Sequence, residues 1–339
     1  MKSNWPTKKH LCNIEECNKG VKSNVIVKVL RRYCILLIVL LTPIRLVAQY
    51  DVAFSHYWAM EPSFNPAAVG KEAKLNAVAV YAIQLAGFEH HPNTMYAAVD
   101  IPFHVLGCNH GVGAQLVNDA IGLFTHKRVA LQYAWQSRLW GGTLGVGAQA
   151  GMLSESFDGS KLDLDDAGDP AFTSSSVNGT RVDMGAGVYY RNRDWYVGAS
   201  VMHLNSPRVE LGETNELNIS PTYYLTGGYN IRLTNPFLSI HTSLLGRTDG
   251  TDWRADLSGR LMYTHEKRVL YAGLSYSPTR SVTFQLGGDI RGIRVGYSYE
   301  VYTSAISFIH GSHELFIGYQ TELDLYKKGR NLHKSVRFL

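Results

Sequence analysis

Beyond residue 74, apolar and polar side chains alternate with a period of two, the spacing of β-strands that have two unlike faces. In Gly141–Leu153, Leu144, Val146, Ala148, Ala150 and Met152 alternate with Thr143, Gly145, Gly147, Gln149 and Gly151. Trp195–Val201 and Ile293–Glu300 repeat the pattern, with Gly, Ser and charged residues on the second face. Read this way, the chain predicts strands at 75–84, 95–102, 111–119, 127–138, 143–153, 181–190, 195–203, 222–233, 238–245, 251–263, 269–277, 282–290, 293–300 and 313–322. No segment of helical period interrupts the series.

Alternation suits both a soluble sandwich, apolar inside, and a membrane barrel, apolar toward lipid. Connection lengths separate the two. The odd connections, near 85–94, 120–126, 154–180, 204–221, 246–250, 278–281 and 301–312, are mostly long. The even ones, near 103–110, 139–142, 191–194, 234–237, 264–268 and 291–292, are mostly tight. Short periplasmic turns and long outer loops characterise outer-membrane barrels. Arg128, Arg138, Arg254, Asp256, Arg260, Arg294 and Glu300 fall on the face opposite the apolar residues, where a wet lumen tolerates charge. Tyr133, Trp135, Tyr189, Tyr190, Trp195, Tyr223, Tyr229, Trp253, Tyr263, Tyr271, Tyr297, Tyr299 and Tyr319 are expected mostly at strand ends, as interfacial girdles. The fold expected is all-β: a transmembrane antiparallel β-barrel of about 14 strands, of outer-membrane type.

Composition adds a leader. The 339 residues carry a formal charge of +5, but residues 1–48 hold nine of the Lys and Arg and only two acids. The remainder is slightly acidic, which removes any basic signature for nucleic acid. Arg31-Arg32, the apolar run Tyr33–Leu41, Pro43 and Ala48 before Gln49 have the order of a secretory signal peptide, with cleavage expected between Ala48 and Gln49. Residues 1 to about 24 fit no targeting pattern and point to a start assigned upstream of the true one. The division expected is 1–48 extension and signal peptide, 49–74 periplasmic N-terminal segment, 75–322 barrel, and 323–339 basic tail. Cys108 alone follows the leader, so no internal disulfide is expected.

Several pieces together resemble one family. Asp51-x-x-Phe54-Ser55-x-Tyr57 leads into Pro62-x-Phe64-Asn65-Pro66-Ala67-x-x-Gly70, and Gly111-x-Gly113 precedes Asn118-Asp119-x-Ile121-Gly122. Asp169-Pro170-Ala171-Phe172, Asp183-x-Gly185-x-Gly187-Val188-Tyr189-Tyr190, Gly198-x-Ser200 and His203-Leu204-x-x-Pro207 follow, then Gly228-Tyr229. Gly296-Tyr297-Ser298-Tyr299-Glu300, Ser304, Ser312-His313-Glu314-Leu315 and Val336-Arg337-Phe338 complete the set. In order and spacing these resemble the PorP/SprF family, outer-membrane proteins tied to the type IX secretion and gliding machinery of Bacteroidetes. Departures are Glu300, where the family often has Asp, and Ser335-Val336, where it has Cys-Pro. The resemblance implies a non-enzymatic barrel that binds or anchors secreted surface proteins, or tethers the periplasmic ring. Its implied partners are outer-membrane lipid, secreted cargo or a surface adhesin with a C-terminal sorting domain, and ring components of the periplasm. The alternative left open is a passive porin or solute channel. Asn65, Pro66, Asp119, Gly122, Asp169, Pro170, His203, Pro207, Tyr297, Ser298, Tyr299, His313 and Glu314 carry the motifs without an assigned role.

Candidate chemistry is sparse, and no cofactor is expected. His313-Glu314 lacks the second His of a zinc motif, since residue 317 is Ile317. Asp163–Asp169 lacks the terminal Glu and flanking helices of an EF-hand. No nucleophile elbow or phosphate loop occurs. The acidic run, with Glu210, Glu213 and Glu216, is expected to set partner choice on the outer loops. The 49–74 segment either plugs the lumen or covers the periplasmic mouth; its pattern does not choose.

Overall fold

The computed structural model describes residues 51–88, 90–105, 107–159, 176–212, 215–303 and 311–323. Sixteen strands follow three short 3-10 turns: β1 Lys74–Ile83, β2 Asn93–Val105, β3 Cys108–Ile121, β4 Phe124–Leu139, β5 Gly142–Asp158, β6 Ser176–Arg191, β7 Trp195–Met202 and β8 Arg208–Leu211. The others are β9 Asn215–Asn218, β10 Thr222–Arg232, β11 Leu238–Thr248, β12 Trp253–His265, β13 Arg268–Ser277, β14 Ser281–Ile290, β15 Ile293–Tyr302 and β16 Ser312–Glu322. Fourteen of them form a closed antiparallel barrel in sequential order, with β8 and β9 set apart as a small hairpin. The last strand closes on the first, from Lys74 opposite Glu322 to Ile83 opposite His313. Closure leaves no edge, which a sheet inside hydrocarbon requires. All fourteen strands expected from alternation are present.

Pleat parity sorts the two faces as expected. Val129, Leu131, Tyr133 and Trp135 of β4 are exposed on the outer wall, while Arg128, Gln132 and Gln136 on the alternate positions are buried inside. A continuous exposed row of this kind is rare on a soluble protein and is an ordinary lipid contact on a barrel. Tyr189 and Tyr271 depart from the girdle expectation: both are buried. Parity puts Tyr189 on the face of Asp183 and Gly187, and Tyr271 packs edge-on against Trp58 inside. Proximity to a strand end does not fix the side; the pleat does.

The hairpin β8–β9 lies within the connection 204–221 and was not expected, because four-residue strands are too short to show a period. It arises where β7 stops early. β6 pairs with β7 only over Ala186–Arg191. Beyond Met202 the chain turns at His203, whose φ is +54°, and covers the freed edge. Leu204 N donates to Met184 O at 2.9 Å, and Asn205 Nδ2 donates to Val182 O at 2.7 Å. The hairpin then buries Val209, Leu211 and Ile219 against Leu153. Its acids are locally matched: Glu210 pairs with Arg181 at 2.8 Å, and Glu216 lies 3.9 Å from Arg208. The acidic outer surface expected there is thus partly neutralised, and the Asp163–Asp169 run lies outside the described residues.

Leu131→Arg should cost about 2–4 kcal/mol of folding stability in a bilayer, the penalty of a guanidinium near the midplane. Chemical unfolding from lipid vesicles measures it; an unchanged midpoint would mean that this face meets water.

Candidate functional site: the occupied lumen

Residues 51–73 run inside the barrel, from the long-loop end toward the short-turn end where β1 begins. Local sequence keeps the segment thin. Pro66 starts one 3-10 turn and Pro62 is the second residue of another, and Asn65 before Pro66 is held extended at φ −137°. Its Oδ1 accepts from Ala67 N at 3.0 Å and its Nδ2 donates to Val188 O at 3.0 Å, so one side chain both caps the turn and ties it to β6. The wall gives way in return. A Cβ on Gly147 would lie 2.5 Å from Ala67 N, and one on Gly187 would strike the Asn65 side chain. Glycine there permits the close approach of two backbones.

Apolar and polar contacts hold the segment. Met60 packs among Val78, Val80, Tyr96, Val117 and Phe316, all on inward positions. Tyr57 and Phe64 pack with Met202, Tyr224 and Leu245. Glu314 accepts from Ser55 N at 2.7 Å and His56 N at 2.9 Å, and pairs with His56 Nδ1 at 2.6 Å, His56 being wholly buried. Tyr57 OH lies 3.0 Å from Ser243 O, and Trp58 stacks under the Arg260 guanidinium at 3.8 Å. Gln132 Nε2 donates to Pro62 O at 2.7 Å and Gln136 Nε2 to Val69 O at 3.0 Å. Gly70 N donates to Asp100 at 3.0 Å.

The densest joint surrounds Asp51. His203 Nε2 meets its Oδ1 at 3.1 Å while His203 Nδ1 meets Asp183 at 2.8 Å. Tyr224 OH donates to Asp51 Oδ2 at 2.6 Å, Arg247 donates to the carbonyls of Asp51 and Val52, and Arg128 lies 3.6 Å away. Burial alone would push the Asp51 carboxyl up and the His203 imidazole down. The charges win: His203 with Arg128 holds Asp51 well below the usual carboxylate range, and Asp51 with Asp183 lifts His203 to about 9. Both imidazole nitrogens then carry protons, each facing a carboxylate.

The motif residues divide among these joints. Asn65, Pro66, His203 and Glu314 fasten the segment to the wall. Asp119 is buried and accepts from Thr94 at 2.6 Å, Gly122 turns at φ +59°, and the Pro207 carbonyl accepts from Ile219 N at 3.1 Å within the inserted connection. Ser298 faces the lumen. Tyr297 is on the outer wall, with its OH 2.7 Å from His313 Nδ1, and the Tyr299 ring lies 5.0 Å from that of His313. Asp169 and Pro170, Ala48 and Gln49, and the tail from 324 lie outside the described residues. The motif reading passed over His56, Asp100, Tyr224 and Arg247. A signal for the occupied lumen was present: β1 reads Val78-Ala79-Val80-Tyr81-Ala82, apolar on both faces, as for a strand covered on both sides.

These features define an outer-membrane-type barrel of 14 strands whose lumen is filled by its own N-terminal segment. The profile described as "Type IX secretion system membrane protein PorP/SprF" matches residues 46–319, and the chain belongs to that family. No curated protein matches it significantly. Among solved structures it is similar to the CymD monoaromatic hydrocarbon channel (TM-score 0.47, 11% identity, 82% of this chain and 95% of that one). It is also similar to the Pseudomonas putida toluene transporter TodX (0.46, 8%, 80% and 95%) and to BamA from Haemophilus ducreyi lacking POTRA domains 1–3 (0.40, 8%, 74% and 70%).

Because His203 gains affinity for its proton on folding, its contribution to anchoring is complete below pH 6.5, declines as pH rises, and is gone above about pH 9. Hydrogen exchange of amides 51–58 should therefore accelerate from pH 6 to pH 10 beyond the intrinsic base-catalysed rate. His203→Gln should remove that excess; an excess that persists in the variant would contradict the assignment.

Proposed function

We propose that the chain is a non-enzymatic component of the type IX secretion machinery, a membrane-fixed scaffold that works at its rims. The outer rim holds a secreted surface protein by its C-terminal sorting domain, and the short-turn rim engages the periplasmic ring. Family membership supports the machinery. The observation that carries the scaffold reading is the filling of the lumen by residues 51–73, through buried partners on β2, β4, β6, β7, β10, β11, β14 and β16. A passive channel needs a continuous wet path there. The lumenal Arg128 and Arg247, which would otherwise serve as a selectivity ring, are instead turned to the segment's carboxylate and carbonyls.

In planar bilayers the wild-type protein should show no steady conductance. Gly147→Val, which crowds the backbone of Ala67, should produce openings while the barrel still shifts on gels with heating. Steady wild-type conductance would favour the channel. In cells, deletion should release or retain inside the proteins that carry sorting domains; a deletion strain that exports and holds all of them would overturn the secretion role.

A further inference from the structure

We infer that the short-turn rim carries a docking cleft for an acidic protein surface, between the β4–β5 and β6–β7 turns. This rests on the scaffold reading, which gives that rim to the periplasm. The cleft, about 610 Å³, is lined by Arg138, Trp140, Thr143, Arg191 and Arg193. Among the described residues, none of its three arginines has a carboxylate within ion-pair distance; the neighbouring Asp194 is taken by Arg232 at 2.7 Å. Other short turns carry both signs, Glu266 beside Lys267 and Arg268, and Asp289 beside Arg291. Here the one acid of the two turns, Asp194, is held by Arg232, which leaves the three arginines without it.

Trp140 is the second observation. It is 86% exposed at the first of two turn positions, with φ +47°, followed by Gly141 at +76°. Such two-residue turns favour Asn or Asp before Gly, and a bulky side chain in the left-handed region is disfavoured. The turn is nonetheless braced. Tyr190 OH donates to Leu139 O and Trp140 O, each at 3.2 Å, and a Cβ on Gly142 would strike that hydroxyl. The walls are therefore tied together before any partner arrives. Exposed Trp beside Arg is the composition of interface hot spots, and guanidinium forks match carboxylates in pairs.

Pleat parity separates a protein partner from lipid headgroups. Arg138 falls on the parity of Arg128, Gln132 and Gln136, and Arg191 on that of Asp183 and Tyr189, the lumen side of the wall. The lipid belt of Trp135 and Trp195 is on the other side. The cleft thus opens toward the periplasmic mouth.

The test uses the full chain in phosphatidylcholine nanodiscs, with a fluorescent decaglutamate peptide as probe and decalysine as control. Saturable decaglutamate binding is expected, weakening steeply with added salt. R138Q/R191Q/R193Q should bind at least about tenfold more weakly, as loss of several charge-assisted contacts requires, and Trp140→Ala should fall between, with both variants still heat-modifiable on gels. Absent binding, binding equal in wild type and triple variant, or binding abolished when phosphatidylglycerol is added to the disc would overturn the inference, the last by assigning the cleft to lipid phosphates. Export in cells is read separately. If deletion of the gene leaves export normal, the secretion role fails whatever the peptide does. If deletion blocks export but the peptide ignores the arginines, the cleft alone fails.

Discussion

Buried polar groups must find partners, and in this barrel the partners come from the same chain. The wall lifts Glu314, Asp183, Arg128, Arg247 and a set of glutamines out of bulk water. Leaving such groups unpaired costs several kcal/mol each, on the order of the stability of a whole domain when summed. Asp51 faces Arg128, the carbonyls of Asp51 and Val52 accept from Arg247, and His56 pairs with Glu314. The carbonyls of Ser55, Pro62 and Val69 accept from Gln285, Gln132 and Gln136, while His203 links Asp51 to Asp183. Neither half is complete alone. Glycines on the inward faces of β5 and β6, and proline-containing turns in the segment, bring the two backbones close enough for those pairs to form.

The barrel was legible because its signal is periodic. A two-residue repeat, fourteen times over, needs only lipid on one side and polar groups on the other, and both leave a mark at every residue. The occupied lumen was less legible, since its contacts join residues such as His56 and Glu314 that are far apart in sequence and share no spacing rule. Its traces were indirect: the doubly apolar β1, the inward glycines Gly145, Gly147, Gly185 and Gly187, and the Asn65-Pro66 pair. The inserted hairpin left no trace, because Val209 and Leu211 alternate over too few residues. The sidedness of Tyr189 and Tyr271 depended on counting the pleat from a neighbour of known face rather than on distance from the strand end.

A filled barrel is a platform. Its strands answer to lipid outside and to the segment inside, so little of their surface is free to encode a partner. On the proposed reading recognition falls to the rims, and the two rims differ. The long-loop side carries the β8–β9 hairpin with matched charges, whereas the short-turn side exposes unmatched arginines around Trp140. That asymmetry suits the proposed component, with a different partner on each side of the membrane.

On the scaffold reading the segment stays in place while the protein works. A disulfide between Asn65→Cys and Gly187→Cys, in a Cys108→Ser background, joins positions already in contact and locks the segment to β6. Export and surface retention of sorting-domain proteins, scored with the disulfide formed, test the claim directly. Activity equal to that of the unlocked protein is the predicted result. Activity lost on locking and restored by a reductant would mean that the segment must leave the lumen, and that the barrel is a gate rather than a scaffold.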